Sequence, residues 1–488
     1  MKLLRDILYQ TRIKQVVGNT NVAIESICFD SRQVKSYCLF VAVPGTQVDG
    51  HQFIDKAVEQ GAIAVVCEII PEKKADEVTY IEVEDSSEAL GIMASNYYDN
   101  PSSEIQLIGI TGTNGKTTCA TMLYRVFKFL GKKAGLISTV ENRIHNEVVN
   151  ATHTTPDAMS INGLLREMVD SGCTHCFMEV SSHALVQHRV TGLNFKGGVF
   201  TNITPEHLDY HKTFNEYISA KKLLFDNLSA DSFALVNLDD RHAETMLQNC
   251  RAKTQKSFAL KSMADFKAKV IDNQFSGLHM NIDGYDLYSK LVGRFNGYNI
   301  LTAYGVSVLL EREPMEILTA LSNISPVHGR FEYVISPDQV TAIVDFAHTP
   351  DALVNVLKTI DEIRTNNEEV ITIVGCGGNR DTTKRPEMAK IACRWSNRVI
   401  LTSDNPRFED PQAIIDEMMK GVEPQDYRKV NSIVNRSEAI KMACSIASSG
   451  DIILIAGKGH ETYQEVNGEK KHFDDMEEVN KSFKMLRE

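Results

Sequence analysis

The sequence has no surplus of positive charge: 52 Lys and Arg stand against 64 Asp and Glu, for a net charge of −12 over 488 residues. That balance excludes a general nucleic-acid binder, which needs excess Lys and Arg to displace counterions from phosphates. A long apolar run is also missing. The best stretch, 61–70, is short and carries Glu68, well below the roughly 20 residues that a membrane-spanning helix requires. The first residues, Met1-Lys-Leu-Leu-Arg-Asp6, contain neither an extended apolar segment nor a small-residue cleavage site, so no signal peptide is expected and the expected compartment is the cytoplasm. The ten cysteines are scattered rather than spaced as a framework. Cys173 and Cys176 have CxxC spacing but no second ligand pair to complete a zinc site, which favours reduced residues packed near a strand. Internal repeats and low-complexity segments are absent.

The remaining composition, 43% hydrophobic and 24% charged, is that of an ordinary globular protein. At about 150 residues per domain the length suggests three. Residues 1–98 mix short apolar runs with turn signals, and Asp99-Asn-Pro-Ser-Ser103 reads as a linker. From there strand and helix signals alternate. Ile105–Ile110 is a strand candidate, and Thr117–Leu130 has helical periodicity ending at Gly131. Further strands are expected at Cys176–Val180, Gly198–Thr201 and Ala234–Asn237, and in a second block at Ala342–Asp345, Val370–Gly375, Arg398–Thr402 and Ile452–Ala456. Such alternation implies an α/β protein with parallel sheets covered on both faces.

The strongest local signal is Thr111-Gly-Thr-Asn-Gly-Lys-Thr-Thr118. It lies between a strand and a helix, where backbone N–H groups and the helix N-terminus can hold phosphate. Lys116 would reach the terminal phosphates and the Thr117 hydroxyl would bind Mg²⁺. The strict GxxxxGK[ST] pattern fails because its first glycine falls on Ile110, leaving the shorter GxxGKT. ATP or GTP binding is the expectation. Glu179 and His207 each sit at or just beyond the carboxyl end of a strand candidate, where ligands gather in parallel sheets.

Ten segments in order resemble the Mur ligases, ATP-dependent amide-forming enzymes of peptidoglycan precursor synthesis. They are Asp30-Ser-Arg32, Thr111–Thr117, Thr154-Thr-Pro156, Glu179–Arg189, His207–His211, Gly329–Glu332, Asp345–Asp351, Gly375–Asp381, Asp404–Arg407 and Gly457–Glu461. The resemblance implies three domains: a nucleotide-sugar domain at 1–98, a central P-loop ATPase-like parallel sheet at 99–327, and a Rossmann-like C-terminal domain at 328–488. It implies that ATP, with Mg²⁺, phosphorylates a carboxylate, and that an amine then attacks the acyl phosphate. The carboxylate would be the D-Glu side chain of UDP-MurNAc-L-Ala-D-Glu.

By the same resemblance Gly112, Thr113, Asn114, Gly115, Lys116, Thr117 and Thr118 hold the phosphates, and Asn296 and Asn299 lie on the adenine side. Arg330 and Asp345 would close over ATP, with His348 nearby. Thr117, Glu179 and His207 would hold Mg²⁺. Lys221, by itself a solvated helix lysine, corresponds to a position that carries a carbamylated lysine helping a second metal ion. Ser31 would meet the uridine nucleotide, and Thr154, Thr155, Ser181, Gln187 and Arg189 the muramoyl peptide.

The Asp404-Asn-Pro-Arg407 segment has the form associated with meso-diaminopimelate as the incoming amine, and lysine-adding relatives usually lack that arginine. Diaminopimelate carries a distal carboxylate that an Arg fork can grip bidentately. Opposite lysine's ammonium, Arg407 would be left unpaired. Arg380, Asp404, Asn405, Pro406, Arg407, Gly457 and Glu461 would line this pocket, with Glu461 on the distal ammonium. Asn379 departs from the family's usual Asp and bears on the orientation of Arg380. The alternatives are a lysine-adding homologue, a folylpolyglutamate synthetase and a non-catalytic ATP-binding regulator. Oligomeric state is not encoded legibly, with a monomer favoured.

Overall fold

The computed structural model describes residues 1–45, 48–151, 153–365 and 367–485. The chain forms two compact units. The first comprises 1–112, 123–201 and 218–257; the second comprises 113–122, 202–217 and 258–488.

The first unit holds two larger sheets and a short antiparallel pair, Lys2–Leu3 with Ala23–Ile24. One larger sheet runs, in spatial order, Ile13–Val17, Thr79–Val83, Ala62–Cys67, Cys38–Val41, Ser26–Cys28. It is parallel except where Ile13–Val17 meets Thr79–Val83. Its inner strands are continuously apolar because both faces are covered. Helix Ser86–Tyr97, whose first turn is capped by the Asp85 carboxylate accepting from the Glu88 N–H, packs Ala89, Met93 and Ala94 into that core. The expected linker is an ordered turn instead. Asp99 and Asn100 are left-handed, and Pro101 and Ser102 are buried in a 3₁₀ turn. Its polar composition reflects turn chemistry rather than flexibility.

The core of the other larger sheet is parallel, in the spatial order Ala134–Ile137, His175–Glu179, Gln106–Thr111, Phe195–Phe200, Phe233–Asn237, with Asn142–Ile144 and Glu147–Val149 added antiparallel beyond Ala134–Ile137. All four central strands expected from the sequence are present, each extended or shifted by a few residues. Gln106–Thr111 is first in the chain yet central in space. The chain next lays Ala134–Ile137 two places away, returns to fill the gap with His175–Glu179, and then builds outward on the other side, so strand order reverses beside it. Glu179 pairs with Ile110, and Phe200 with Thr111, so the carboxyl ends of three strands lie level at this reversal. That is where an open α/β sheet offers a crevice. Cys173 and Cys176 are buried free thiols at the start of His175–Glu179.

The second unit contains an antiparallel meander, Phe266–Gln274, Gly277–Ile282 and Tyr285–Ser289, packed on helix Arg294–Leu309. It also contains a six-stranded sheet ordered Glu332–Ile335, Thr341–Asp345, Ile452–Ala456, Val370–Val374, Arg398–Thr402, Val430–Ile433. Only the first pair is antiparallel. Helices Pro350–Ile363, Lys384–Trp395 and Pro411–Met419 cover one face, and Arg436–Ile446 and Asp475–Met485 the other. The last two helices are joined by a fully buried ion pair, with both nitrogens of an Arg436 fork 2.7 Å from the Asp475 carboxylate. Strands Thr341–Asp345, Val370–Val374, Arg398–Thr402 and Ile452–Ala456 deliver the 345–351, 375–381, 403–407 and 457–461 segments from one end of the sheet. Among the described residues, no helix is long and apolar enough to cross a membrane.

Candidate active site

Residues 113–118 of the phosphate loop lie in the second unit. Gly115 has φ 88°, a conformation that disfavours any residue with a Cβ, and helix Lys116–Phe129 starts directly after it. The loop is held from outside. Asn202 accepts the Thr113 N–H through its carbonyl at 2.8 Å and the Asn114 N–H through its side-chain oxygen at 2.9 Å. Thr204 exchanges bonds with the Thr113 hydroxyl at 3.1 and 3.2 Å. The Asn114 side-chain amide donates to Asp351 at 2.9 Å, tying the loop to helix Pro350–Ile363. Burial pushes the Asp351 carboxyl above its usual range.

Two cations converge on this frame. The Lys116 ammonium donates to the Thr113 carbonyl at 2.7 Å, and Arg330 Nη2 donates to the Thr117 hydroxyl at 3.1 Å. The Arg330 guanidinium also lies 4.4 Å over the Phe346 ring. Asp345 fixes the arginine's backbone: its carboxylate accepts from the Phe331 N–H at 2.7 Å and the Ala347 N–H at 2.8 Å. Burial raises the Asp345 pKa, and the Arg330 charge opposes that rise. Burial and the nearby Arg330 push His460 down to about 3, so its imidazole is neutral at physiological pH. Asn296 and Asn299 are buried on helix Arg294–Leu309. The Asn299 amide donates to the Asn296 side-chain oxygen at 2.9 Å, and the Cys119 thiol donates to Asn299 Oδ1 at 3.4 Å. Thr118 is buried in the first turn of the loop helix. His207 is left-handed and largely exposed; Glu206 lies 3.7 Å from its ring and 3.8 Å from that of His348.

The first unit carries the other half of the expected residues. Glu179 is fully buried and accepts the Thr139 N–H at 2.7 Å. Lys221, on helix Phe214–Asp226, is fully buried rather than solvated, and its ammonium donates to the Gly112 carbonyl at 2.8 Å. Thr154, Thr155, Ser181, Gln187 and Arg189 form one chain of bonds. The Thr139 hydroxyl donates to that of Thr154 at 3.1 Å, and Thr155 Oγ1 donates to the Glu179 carbonyl at 2.8 Å while accepting the Ser181 N–H at 3.1 Å. Arg189 donates to the Thr155 carbonyl at 2.8 Å and grips the Gln187 side-chain oxygen with Nε and Nη2. Ser181 caps the following helix. Ser31 is buried in a 3₁₀ turn of the N-terminal sheet, where Asp30 accepts the Arg32 N–H.

The donors suit the groups expected here. A lysine on a glycine-bearing loop at a helix start, with an arginine donating to that helix's first turn from another segment, matches nucleotide phosphates. The Thr117 hydroxyl and Glu179 carboxylate are hard oxygen donors of the kind Mg²⁺ prefers. Thr117 and His207 belong to the second unit, Glu179 and Lys221 to the first. Among the described residues, no group of three or more His, Cys, Asp or Glu could by itself hold a metal ion.

A second charged centre sits at the carboxyl end of the C-terminal sheet. Asn405 donates to Glu461 Oε2 at 2.8 Å and accepts from Lys458 at 3.0 Å and from the Glu465 N–H at 2.9 Å. Lys458, fully buried, also lies 3.5 Å from Asp404 and 3.3 Å from Glu461. Burial opposes the Asp404 charge, but Lys458 and Arg436 hold its pKa below the usual range. Burial, reinforced by Asp404, pushes Glu461 upward. Gly457, at φ 120°, lets its chain pass Asp404, whose Oδ2 would lie 3.0 Å from an added Cβ. Gly378 is required outright, because a Cβ there would stand 1.9 Å from the Pro406 carbonyl.

Arg407 is left-handed, donates to the Gly378 carbonyl at 2.8 Å and lies 3.6 Å from Glu465. This corrects one expectation: Arg407 has a carboxylate beside it before any acceptor arrives, so it is not left unpaired by a lysine. Asn379 is also left-handed, a conformation Asn tolerates well, and its side-chain oxygen accepts the Phe408 N–H at 3.2 Å. Arg380 is exposed on the same loop and is not drawn into the Asp404–Glu461 cluster. Sequence reasoning missed Lys458, Asp351, Thr139, Asn202, Glu206 and Glu465. Lys458 and Asp351 lay inside segments already singled out, and Asn202 and Glu206 lay in the stretch leading to His207, but nothing local marked Thr139 or Glu465.

Family models match three stretches: the "Mur ligase family, catalytic domain" over 23–98, the "Mur ligase middle domain" over 110–307 and the "Mur ligase, glutamate ligase domain" over 329–459. The chain is 57% identical over 473 residues, 97% of each chain, to the UDP-N-acetylmuramoyl-L-alanyl-D-glutamate–2,6-diaminopimelate ligase of Cytophaga hutchinsonii. It is 50% identical to that of Bacteroides fragilis over 482 residues, 99% of each chain. A solved structure of a ligase of the same name, 30% identical, superposes with a TM-score of 0.69 and covers 100% of this chain and 99% of that one. The MurF ligase of Thermotoga maritima in complex with ADP, 18% identical, shares the fold at a TM-score of 0.63, covering 94% of this chain and 97% of that one.

Proposed function

The chain belongs to the Mur ligase family, and from that premise we propose that it joins meso-diaminopimelate to the D-Glu side-chain carboxylate of UDP-MurNAc-L-Ala-D-Glu at the expense of ATP, in peptidoglycan precursor synthesis. The observation that carries this reading is the end-to-end identity with ligases of that name, together with a phosphate loop whose Lys116 and Arg330 converge on Thr113–Thr117. Its place is the cytoplasm, where ATP is supplied.

A carboxylate is a poor electrophile, so the γ-phosphoryl group is first transferred to it, with ADP as the leaving group. The acceptor's uncharged amine then attacks the acyl carbon, and phosphate departs from the tetrahedral intermediate as the amide forms. The protein's task is to align reactants and to offset crowded negative charge. Lys116 and Arg330 offset the charge of the transferring phosphoryl group. Asp351, Asn202 and Thr204 hold the loop in place while they do so. Asn296 and Asn299 would face the adenine side. Thr117, Glu179 and His207 would each offer a donor atom to Mg²⁺, which would supply charge neutralisation at the phosphates. Residues 1–98 would carry the uridine nucleotide around Ser31, residues 99–327 ATP and the dipeptide end along Thr154–Arg189, and residues 328–488 the acceptor.

Lys221 would act as a carbamate, formed by its uncharged amine with CO₂, and this is consistent with its complete burial beside the Gly112 carbonyl. Protein loaded with isotopically labelled bicarbonate should give a carbamate carbon resonance that Lys221→Ala loses. A wild-type spectrum without that resonance would remove the modification from the mechanism.

The whole reading is tested by ADP release with UDP-MurNAc-L-Ala-D-Glu, ATP and Mg²⁺. Turnover should require meso-diaminopimelate, give a product of the tripeptide mass, and stop on chelation of the metal. Preference for L-lysine would keep the ligase and overturn the acceptor assignment. ATP binding without stimulation by either amino acid would point to a regulator.

A further inference from the structure

Lys458 carries no role in the reaction so far, yet it is the most enclosed cation of the acceptor end. Its side chain is wholly inaccessible, so it cannot itself touch an acceptor. Three groups receive it: Asn405 Oδ1 at 3.0 Å, Glu461 Oε2 at 3.3 Å and Asp404 Oδ1 at 3.5 Å, with the Tyr463 ring 5.6 Å below. Placing an ammonium fully out of water is costly unless its partners fix it, so its position is sharply defined. Two consequences follow for the groups around it. By holding Asn405 Oδ1, Lys458 fixes which way that amide points, and hence sends Asn405 Nδ2 to Glu461 at 2.8 Å. The charge count matters as well. Two carboxylates against one ammonium leave a single negative charge in the cluster, while Arg436 is already matched by Asp475. One unmatched negative charge is what a single incoming ammonium needs.

We propose that Lys458 is a positioning residue for the acceptor: it orients Asn405 and keeps Glu461 anionic beside Asp404, so that the cluster recognises the distal ammonium of a diamino-dicarboxylic acid. The inference rests on the acceptor pocket proposed above. Without Lys458, two buried carboxylates would repel one another. Glu461, already pushed up by burial and by Asp404, would take up a proton and lose its charge.

The test uses the full chain, with Lys458→Met as a variant of similar volume and Lys458→Gln as one that retains a donor toward Asn405. The probes are meso-diaminopimelate and 2-aminopimelate, which has the distal carboxylate but lacks the distal amine. In Lys458→Met the KM for meso-diaminopimelate should rise about tenfold to 100-fold, while the KM values for ATP and for the UDP-linked dipeptide stay within about twofold. The preference for meso-diaminopimelate over 2-aminopimelate should shrink by a similar factor. Lys458→Gln should fall between the two proteins. A merely structural lysine would lower kcat, or raise all three KM values, and leave the preference unchanged; that result overturns the proposal. If Lys458→Met does not fold, an unchanged preference in Lys458→Gln overturns it equally. Arg407→Leu serves as the parallel control. If the wild type ignores meso-diaminopimelate, or Arg407→Leu leaves its KM unaltered, the acceptor pocket itself is wrong. If Arg407→Leu moves that KM and the Lys458 variants do not, only the present inference fails.

Discussion

Lys116→Ala is expected to lower kcat by at least about 10³-fold at saturating substrates, equivalent to about 4 kcal/mol of lost transition-state stabilisation. The ammonium lies 2.7 Å from the Thr113 carbonyl and stands at the start of the loop helix, where in the proposed reaction the transferring phosphoryl group would gather negative charge. Little of the loss would come from collapse of the loop. Thr113 and Asn114 are fixed by Asn202, Thr204 and Asp351, and none of those bonds involves the lysine side chain. The melting temperature should therefore stay close to that of the wild type, and ATP should still bind. Lys116→Arg should recover only part of the rate, since a planar fork does not reproduce a compact ammonium inside a tight loop. ADP release by Lys116→Ala within tenfold of the wild-type rate would remove Lys116 from the chemistry.

Arg407→Leu should lower kcat/KM for meso-diaminopimelate by about 10²-fold to 10³-fold, the effect of deleting one partner of an enclosed charge pair. L-Lysine, which has no distal carboxylate, should be affected far less, so the ratio between the two acceptors should collapse. The substitution isolates the side chain, because the backbone at 407 is pinned from both directions. Its N–H donates to the Glu465 carbonyl at 3.1 Å and its carbonyl accepts the Asn467 N–H at 2.7 Å. Glu465 gives the test a further edge. It lies 3.6 Å from Arg407 Nε and would compete with the acceptor's carboxylate for the guanidinium. Glu465 thus gives the half-buried Arg407 a counter-charge before substrate arrives, and the expected discrimination is finite for that reason. Acceptor kinetics measured at fixed ATP decide the matter, and an unaltered acceptor ratio would reject Arg407 as the carboxylate clamp.

Much of this protein was legible in the order of its residues. Apolar runs of five or six residues followed by glycine-marked turns announce parallel strands. The GxxGKT spacing is a local device, because strand, turn and helix N-terminus are all specified within about a dozen residues. The central and C-terminal strands therefore appear where the pattern puts them, and Lys116 opens the helix that follows the glycine turn. Residues 1–98 gave less: short strands separated by turns do not declare their partners, and the mostly parallel five-stranded sheet emerges only once they pair.

What the tertiary structure alone decided is which side chains meet and which lose water. Asn114 and Asp351 are 237 residues apart in sequence, and Lys458 and Asn405 are 53 apart, so no local spacing could couple them. Lys221 reads as a helix-surface lysine and is completely buried. Lys458, between two glycines, carries no local signal of its own, yet it becomes the enclosed counter-charge of Asp404 and Glu461. The 99–103 segment reads as a linker and is a packed turn. The reason is the same in each case. Sequence periodicity reports how a residue relates to its neighbours along the chain. Charge, desolvation and hydrogen-bond direction depend on the neighbours that the folded sheets bring together.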